Sequence, residues 1–491
     1  MKRANLLLST LPLVILIATL FAAVKWFGGD ITSGPSQIAL LIATLTTLLI
    51  STLYLKVPWS TIERAMIENL SQTGSAIFIL LMIGAITASW MISGVVPTMI
   101  YYGLKVITPS LFLVVAFLLS GAVSVMSGSS WTTVGTIGVA LLTAGEIIGF
   151  PSPWLAGAVI SGAYLGDKIS PLSDTTNLAA SVAGVDLYLH IRYMLITTIP
   201  AFILTLIFFG TAGFLLPQQG GLEIDGQLQL LSTTFNISPA LFLLPLATIL
   251  LIVKKVPPFI TLAISALLGA ILALLVQPHL IAQIVPESLS KLEGALFSTL
   301  KILSSKTTIE TGDVMLNKLL TTSGMSGMLD TVWIILMVVA FGGAMSASGM
   351  IATLTEKIVS FVKSGFSLVA STTLTTILFN IALSEQYISI LIPGKMFSES
   401  YRKMGYKPQL LSRTLEDAGT VTSVLVPWNT CGVVQSTVLG VATLSYLPYC
   451  FFNIATPLLT LLVALFGYKI ERLVPEEEIE ENIEIKQQSD I

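Results

Sequence analysis

Long apolar runs constrain this chain more than any other feature. A bilayer core takes about 20 consecutive apolar residues per helix, and such runs recur throughout the 491 residues. Only 10% of the residues are charged, whereas soluble domains average about a quarter. The sequence therefore predicts an all-α polytopic membrane protein. The uninterrupted runs lie near residues 5–24, 36–54, 75–100, 190–216, 238–253, 256–276, 329–350 and 447–468.

The first run, 5–24, follows Lys2 and Arg3 and admits a second interpretation as a signal peptide. A signal peptide has an apolar region of roughly 7–15 residues and a cleavage site of the A-x-A type. The run is longer than that and no such site closes it. We therefore interpret it as the first transmembrane helix.

Four more apolar stretches are broken by polar residues. "MSGSSWTT" divides 109–149, "LSEQYIS" divides 366–394, and prolines with hydroxyl and amide residues interrupt 153–177 and 410–440. Because lipid offers no hydrogen bonds, non-helical backbone at membrane depth must be shielded by protein or line a cavity. We predict about ten full transmembrane helices, two re-entrant hairpins (109–149 and 366–394) and two interrupted helices (153–177 and 410–440).

The two halves of the chain resemble each other at a nearly constant separation, which indicates a duplicated unit. "LMIGA" (81–85) matches "LMVVA" (336–340), Ser93-Gly94 matches Ser348-Gly349, and Asn177 aligns with Asn429 at a slightly shorter separation. The predicted domains are a first repeat at 1–216, an extracytoplasmic linker at 217–237, a second repeat at 238–468 with a polar insertion at 277–327, and an acidic cytoplasmic tail at 469–491.

Lysine and arginine near helix ends indicate orientation, because they favour the cytoplasmic side. If the two hairpins re-enter, the basic stretch 395–413, Arg192 and Lys254-Lys255 all fall on that side. If the hairpins crossed instead, Arg192 and Lys254-Lys255 would lie outside. The pattern predicts cytoplasmic termini and repeats of opposite topology, an arrangement common in secondary transporters.

Polar and ionisable residues at the breaks are the candidate ion-binding residues. "GDKISPLSDTTN" (166–177) places three charged side chains where the surrounding composition indicates burial in the membrane, and charge there is costly. Carboxylate, hydroxyl and amide oxygens, with carbonyls freed by proline, are ligands of a hard cation such as Na+. The candidate cation- or proton-binding residues are Asp167, Asp174, Glu385, Glu416, Asp417, Ser129, Ser130, Ser173, Thr175, Asn177, Asn429 and Thr430, with Na+ expected at Asp174, Asn177, Glu416 and Asn429.

Such carboxylates would support exchange of one cation for another. A carboxyl group away from water takes up a proton more readily than an exposed one, so one site can hold either H+ or a metal ion. Competition for that site, combined with alternating access, gives antiport. We expect Asp174 to be the shared carboxylate, with Glu416 next, and no cofactor beyond the transported Na+ and H+.

These acids also have structural interpretations, which the sequence leaves open. A carboxylate at a helix start can act as a cap, and residues three or four apart on a helix can pair. The alternatives are solvation of Asp167 and Lys168 at a helix end, capping by Asp174 or Glu385, and pairing of Glu416 and Asp417 with Arg413.

Several other functional classes fit the sequence less well. The net charge of −3 gives no basis for a nucleic-acid partner. Cys431 and Cys450 lie in apolar surroundings without metal-ligand spacing, and neither His190 nor His279 has a histidine partner one turn away. An intramembrane enzyme is disfavoured because "AYLGD" resembles the GxGD protease motif without its first glycine, and H-E-x-x-H is absent from the sequence. An ion channel is disfavoured because broken helices in inverted repeats are typical of carriers.

The motif "GDKISPLSDTTN" with the downstream "DLYLHIRYM" (186–194) resembles the NhaC-type Na+/H+ antiporter family, whose members have GDK-x-SPLSDTTN followed by D-x-x-x-HIR-x-M. "SRTLEDAGTVTSVLVPWNTCG" (412–432) is similar to the same family. The resemblance extends from about residue 60 to 468. It implies a Na+/H+ antiporter of a bacterial inner membrane, within a superfamily of dimeric elevator-type carriers with two re-entrant hairpins, and hence a homodimer in the lipid bilayer.

The same family includes exchangers of malate for lactate, so a sodium- and proton-coupled organic-acid exchanger is the second interpretation. In that case Lys168 or Arg413 would hold a carboxylate. The superfamily's carboxylate carriers have Ser-Asn-Thr at their hairpin tips, whereas this chain has Ser129-Ser130 and Ser384-Glu385. Glu385 would repel an anion and attract a cation, which favours Na+/H+ exchange.

Overall fold

The computed structural model describes residues 4–27, 34–106, 108–216, 221–309, 317 and 321–473. Within these ranges the regular secondary structure is helical, apart from two isolated β-bridges. Nine of the described helices are long and apolar enough to cross a membrane, or up to 11 if each of two sharply bent helix pairs counts as one span. The protein is therefore an all-helical, multi-pass membrane protein.

Helices of the amino-terminal half precede residue 235. They are α1 (Leu6–Phe27), α2 (Pro35–Leu49), α3 (Trp59–Ile92), α4 (Val95–Val106), α5 (Phe112–Ser127), α6 (Ser130–Thr133), α7 (Val139–Ile148), α8 (Ser152–Ile169), α9 (Asp174–Ala183), α10 (Leu187–Leu215) and α11 (Gly221–Thr234). A π-helix at Ile50–Tyr54 extends α2, and another at Val134–Gly138 joins α6 to α7.

Helices of the carboxy-terminal half follow residue 242. They are α12 (Leu243–Val253), α13 (Pro258–Val276), α14 (Pro278–Ile284), α15 (Lys291–Ser304), α16 (Leu329–Ala347), α17 (Met350–Val359), α18 (Gly365–Ala382), α19 (Gln386–Lys403), α20 (Pro408–Ser423), α21 (Thr430–Leu439), α22 (Thr443–Tyr446) and α23 (Phe451–Phe466). Residues 474–491 of the predicted acidic tail, 217–220 of the predicted linker and part of the polar insertion lie outside the described residues.

Helix ends recur between the halves at a separation of 256 residues. The pairs with the same backbone role are Gly128 and Ser384 (left-handed, φ 66° and 58°), Ser129 and Glu385 (helix N-caps), Ser173 and Asn429 (N-caps), and Gly184 and Gly440 (left-handed C-caps). The alignment of Asn177 with Asn429 is therefore wrong, because Asn429 takes the N-cap position that Ser173 holds in the first half.

Two predicted runs are shorter than the sequence indicated. The run 75–100 ends at Ile92 and the run 329–350 at Ala347, each followed by a glycine with positive φ, Gly94 at 84° and Gly349 at 71°. A left-handed residue cannot continue an α-helix, so a new helix starts in a different direction after each glycine.

Helix breaks lie within the stretches where the sequence is interrupted. The chain leaves the helix at Gly128-Ser129, at 170–173, at 383–385 and at 424–429. Both arms of the predicted hairpin 109–149 are long and apolar enough to cross a membrane, so helix length alone does not separate crossing from re-entry.

Close packing of α8 on α5 fixes the first break. A Cβ atom on Gly162 would lie 2.1 Å from the Phe117 carbonyl oxygen, and one on Gly166 would lie 2.4 Å from Ser124 Cβ. Ser124 Oγ also donates to the Ala163 carbonyl at 2.5 Å. The two helices are therefore in backbone contact along their length, and the polar end of α8 is held beside the tip that follows α5.

Candidate ion-binding site

A cavity of about 400 Å³ lies where the breaks of the two halves meet. The tips at Gly128 and Glu385 and the breaks before α9 and α21 all contribute to its wall. Loop residues before α13, including Lys255, line the same cavity. The polar and aromatic residues around it are Thr73, Ser75, Ser127, Ser129, Ser130, Trp131, Thr132, Asp167, Asp174, Thr175, Lys255, Glu385, Gln386, Tyr387 and Thr430.

Each tip turns through one left-handed residue and then caps the next helix with its own side chain. After Gly128, the Ser129 hydroxyl accepts from the Thr132 amide at 3.2 Å. After Ser384, the Glu385 carboxylate accepts from the Ile388 amide at 3.0 Å. The capping interpretation of Glu385 is thus correct for one of its oxygens, while the residue also lines the cavity.

Asp167 joins the first tip to the first break. Its Oδ2 accepts from the Ser130 amide at 3.2 Å and from Ser130 Oγ at 2.7 Å, and its Oδ1 accepts from Ser173 Oγ at 2.7 Å. The residue is only 6% exposed, and no ion pair links it to a cation in the described part of the chain. It is a buried carboxylate held by neutral donors and facing a cavity.

Two hydroxyl groups connect Asp167 to a carboxylate of the other half. Ser173 Oγ lies 3.0 Å from Thr175 Oγ1, and Thr175 Oγ1 donates to Glu416 Oε1 at 3.1 Å. Glu416 is fully buried on α20, and its Oε2 makes no hydrogen bond with the residues that are described. We call this arrangement, Asp167–Ser173–Thr175–Glu416, the hydroxyl-linked carboxylate pair.

Lys168 and Asp417 form a separate ion pair behind that arrangement. Lys168 Nζ lies 2.6 Å from Asp417 Oδ1, and both side chains are fully buried. Thr198 Oγ1 accepts from Lys168 at 2.7 Å, while Thr197 and Thr460 donate to Asp417 Oδ2. The charge of Asp417 is therefore already balanced, which distinguishes it from Asp167 and Glu416.

Arg413 pairs with Asp417 only loosely. Its Nε lies 4.0 Å from Asp417 Oδ2, beyond hydrogen-bond distance, and its guanidinium lies 4.8 Å from the centroid of the Tyr193 ring. Glu416 occupies the neighbouring helical position, and no Arg413 nitrogen lies within 4.0 Å of its carboxylate. The pairing alternative therefore applies to Asp417 and not to Glu416.

The remaining predicted residues occupy peripheral or capping positions. Asp174 is exposed and lines the cavity, at the first turn of α9. Asn177 is exposed and donates to the Pro171 and Ser173 carbonyls, so it closes the break. Asn429 is buried, caps α21 at the Cys431 amide and donates to Asn380, whereas its neighbour Thr430 lines the cavity.

Several residues around the site lacked a clear sequence signal. Thr197, Thr198 and Thr460 lie within apolar helices, where a threonine usually bonds only its own backbone. Trp131 and Tyr387 both line the cavity. The sequence signal for these two aromatic residues was their position: Trp131 directly follows Ser129-Ser130, and Tyr387 lies two residues after Glu385.

The donor set suits a hard monovalent cation. Carboxylate and hydroxyl oxygens from Asp167, Ser130, Ser173, Thr175 and Glu416 are oxygen ligands of the kind that such ions prefer. Among the described residues, no group of three or more His, Cys, Asp or Glu side chains is arranged to hold a metal ion. The two linked carboxylates are also suited to share a proton through the hydroxyl groups between them.

Comparison with known proteins gives consistent matches. The model of the Na+/H+ antiporter family matches residues 162–468. The Na(+)/H(+) antiporter NhaC of Alkalihalophilus pseudofirmus is 38% identical over 415 residues, which cover 84% of this chain and 86% of that protein. The malate-2H(+)/Na(+)-lactate antiporter of Bacillus subtilis is 35% identical over 451 residues, 91% and 92% of the two chains. The arginine/ornithine antiporter ArcD of Halobacterium salinarum is 36% identical over 416 residues, 83% and 82%.

Proposed function

Because this chain belongs to the Na+/H+ antiporter family, we propose that it exchanges Na+ for H+ across the cytoplasmic membrane by alternating access. The observation that supports this most directly is the hydroxyl-linked carboxylate pair, in which Asp167 and Glu416 come from different halves of the chain. Neither acid is neutralised by an ion pair within the described chain. Burial makes the unbound, doubly charged state costly, so the pair requires a bound cation.

Na+ and H+ would compete for this pair. With Na+ bound, the carboxylates and the hydroxyls of Ser173 and Thr175 act as ligands. With H+ bound, one carboxyl group carries the proton and donates it to the adjacent hydroxyl, and the two hydroxyls then donate in sequence to the other carboxylate. Asp174 at the cavity mouth and Glu385 at the second tip add negative charge that attracts cations to the cavity.

The proposed architecture follows from the repeated helix ends. We propose that the chain consists of inverted-topology repeats, with α5–α7 and α18–α19 as re-entrant hairpins and both termini in the cytoplasm. Equivalent N-caps at Ser173 and Asn429 and equivalent left-handed residues at Gly128 and Ser384 support the duplication. A homodimer, as the family resemblance implies, completes the proposal.

A second candidate is organic-acid exchange, which the malate/lactate relative supports. The cavity, at about 400 Å³, lies in the volume range of small-molecule sites. Among the described residues, three acids line it, Asp167, Asp174 and Glu385, and one lysine, Lys255. An organic anion would meet net negative charge, so we rank this candidate below Na+/H+ exchange.

Exchange in proteoliposomes tests the proposal. Vesicles loaded with an internal pH dye receive an outward Na+ gradient, and then malate, lactate or arginine replaces Na+ in separate runs. We expect Na+ to drive a pH change that needs no organic solute. Organic-acid exchange predicts uptake of labelled lactate that depends on internal malate. A pH change that appears only with an organic solute present would contradict the proposal.

A further inference from the structure

The two acids of the proposed site each have a charged neighbour on a different face of the same helix. Asp167 is followed by Lys168 on α8, and Glu416 is followed by Asp417 on α20. Successive residues on an α-helix point about 100° apart. Asp167 and Glu416 therefore face the hydroxyl-linked pair, while Lys168 and Asp417 meet each other at 2.6 Å.

This ion pair is enclosed on every side. Both side chains are fully buried, and three threonines from two further helices complete their hydrogen bonds. Thr197 and Thr198 of α10 and Thr460 of α23 contact the charged atoms. The ion pair therefore joins α8, α10, α20 and α23 at one point, and neither of its two residues is in the cavity wall.

A hydrogen bond also fixes the end of α8, which carries Lys168, to the start of α9. Thr176 Oγ1 donates to the carbonyls of Asp167 at 3.1 Å and of Lys168 at 2.9 Å. That bond links the first turn of α9 to the last turn of α8. Thr175, the preceding residue, is the one that reaches Glu416. A shift of α20 by a single residue, about 1.5 Å along its axis, would separate Glu416 from Thr175.

We infer that the Lys168–Asp417 ion pair is a positioning device for the proposed ion site: it holds α8 and α20 in the register at which Asp167 and Glu416 share Ser173 and Thr175. The inference rests on the proposed function. Asp417 is then a positioning residue and not an ion ligand, although its sequence neighbours made it a candidate ligand.

Two variants of the ion pair separate these roles. Both also carry Arg413→Met, because among the described residues Asp417 is the one carboxylate within 4.0 Å of that buried guanidinium, and a buried charge left without its partner is strongly destabilising. Lys168→Met with Asp417→Leu replaces the ion pair by apolar groups, and a buried ion pair replaced in this way usually leaves a protein about as stable as before. Lys168→Asp with Asp417→Lys reverses the pair and keeps the contact, since the surrounding threonine hydroxyls can both donate and accept. Lys403→Met, which removes the exposed Lys403–Glu399 pair at 2.8 Å, is the matched control.

The measurements are the thermal midpoint of the purified protein and the KM for Na+ in proteoliposomes. We expect the apolar variant to keep its midpoint and to show a KM raised about tenfold to a hundredfold, as for other residues that orient metal ligands. We expect the reversed variant to return the KM to within about threefold of wild type, and the control to change neither value.

Each opposite result contradicts the inference. An apolar variant with wild-type KM would make the pair purely structural. A reversed variant that keeps the wild-type midpoint and the raised KM would indicate that Asp417 itself binds the ion or that the register does not depend on the ion pair. Absence of Na+-driven pH change in the wild-type vesicles would instead contradict the proposed function, so the two failures are distinguishable.

Discussion

At the scale of single residues, the candidate carboxylates differ in burial and in hydrogen bonding. Asp167 is 6% exposed and linked through hydroxyls to Glu416, whereas Asp174 is exposed at the cavity mouth. We expect Asp167→Asn to lower the exchange rate about a hundredfold or more, because it removes a charge and a proton acceptor that Na+ and H+ would share. Measurement of Na+-driven pH change in proteoliposomes checks this.

Asp174→Asn is the matched variant for that experiment, since it makes the same chemical change at an exposed position. We expect it to raise the KM for Na+ by about threefold, with an effect that fades as ionic strength increases, because it alters only long-range attraction. Complete loss of exchange in Asp174→Asn with activity retained in Asp167→Asn would return the central role to Asp174.

The sequence indicated these acids as candidates, but it did not indicate which side chains they contact. Polar residues that interrupt the apolar segments indicated Asp167, Glu385 and Glu416, since a charge buried in the membrane is costly. That Asp417 is neutralised by Lys168 while Glu416 is not depends on which face of α20 meets α8. Such a contact between segments far apart in sequence has no local signature, so the sequence could not separate the two neighbouring acids.

At the scale of helices, the tip at Gly128 depends on glycine for two reasons. Its φ is 66°, and a Cβ atom would lie 2.5 Å from the Leu172 carbonyl carbon. We expect Gly128→Ala to push the tip away from the break at 170–173 and to abolish exchange. Gly184→Ala is the control, because φ is 71° there too but a Cβ atom would meet nothing within 4 Å. The control should cost about 1–2 kcal/mol in backbone strain and retain exchange.

Thermal midpoints and exchange rates of both variants show whether the contact with Leu172 or the left-handed backbone alone accounts for the loss of exchange. Equal loss of exchange in both would mean that left-handed strain alone disturbs the protein. Retained exchange in Gly128→Ala would mean that the contact with Leu172 is not needed.

Helix type and most spans were predictable, and helix ends were less so. Apolar runs predicted the transmembrane helices because membrane burial requires them. The helix ends before Gly94 and Gly349 were not predicted, because apolar residues continue past both glycines. Only the tertiary packing decides whether a glycine in an apolar run bends the chain or lies within a helix, as Gly162 and Gly166 do where α8 meets α5.

At the scale of the whole molecule, a second cavity lies farther along the same helices. It measures about 750 Å³ and is lined by residues of α3 from Gly84 to Met91, by α7 and by the end of α21. The first cavity is lined by α3 residues from Thr73 to Ile79. Between the two, α3 contributes Leu80 and Ile83, both fully buried. Four residues of helix span about 6 Å, so a thin apolar barrier divides the cavities.

The barrier is tightly packed. Leu80 packs in a buried cluster with Val434 of α21 and two residues of α16, and Trp131 lies against that cluster. A Cβ atom on Gly135, in the π-helix between α6 and α7, would lie 2.8 Å from Ile83. Lys255 lines the first cavity, and in the topology proposed above, which the distribution of basic residues supports, that side faces the cytoplasm. Alternating access then requires the second cavity to face the opposite side.

Thiol labelling on one helix tests that arrangement. Ser75→Cys and Thr87→Cys lie on α3 in the first and second cavities, about 18 Å apart, and Leu80→Cys lies in the barrier. The native Cys431 and Cys450 are fully buried, so background labelling should be low. With a membrane-impermeant reagent, we expect Ser75→Cys to react in inside-out vesicles, Thr87→Cys in right-side-out vesicles, and Leu80→Cys in neither. Two results would contradict this arrangement of opposed cavities: reaction of Ser75→Cys and Thr87→Cys from the same side, or ready labelling of Leu80→Cys. A closed barrier must exclude water from its centre while each cavity stays open to one side of the membrane.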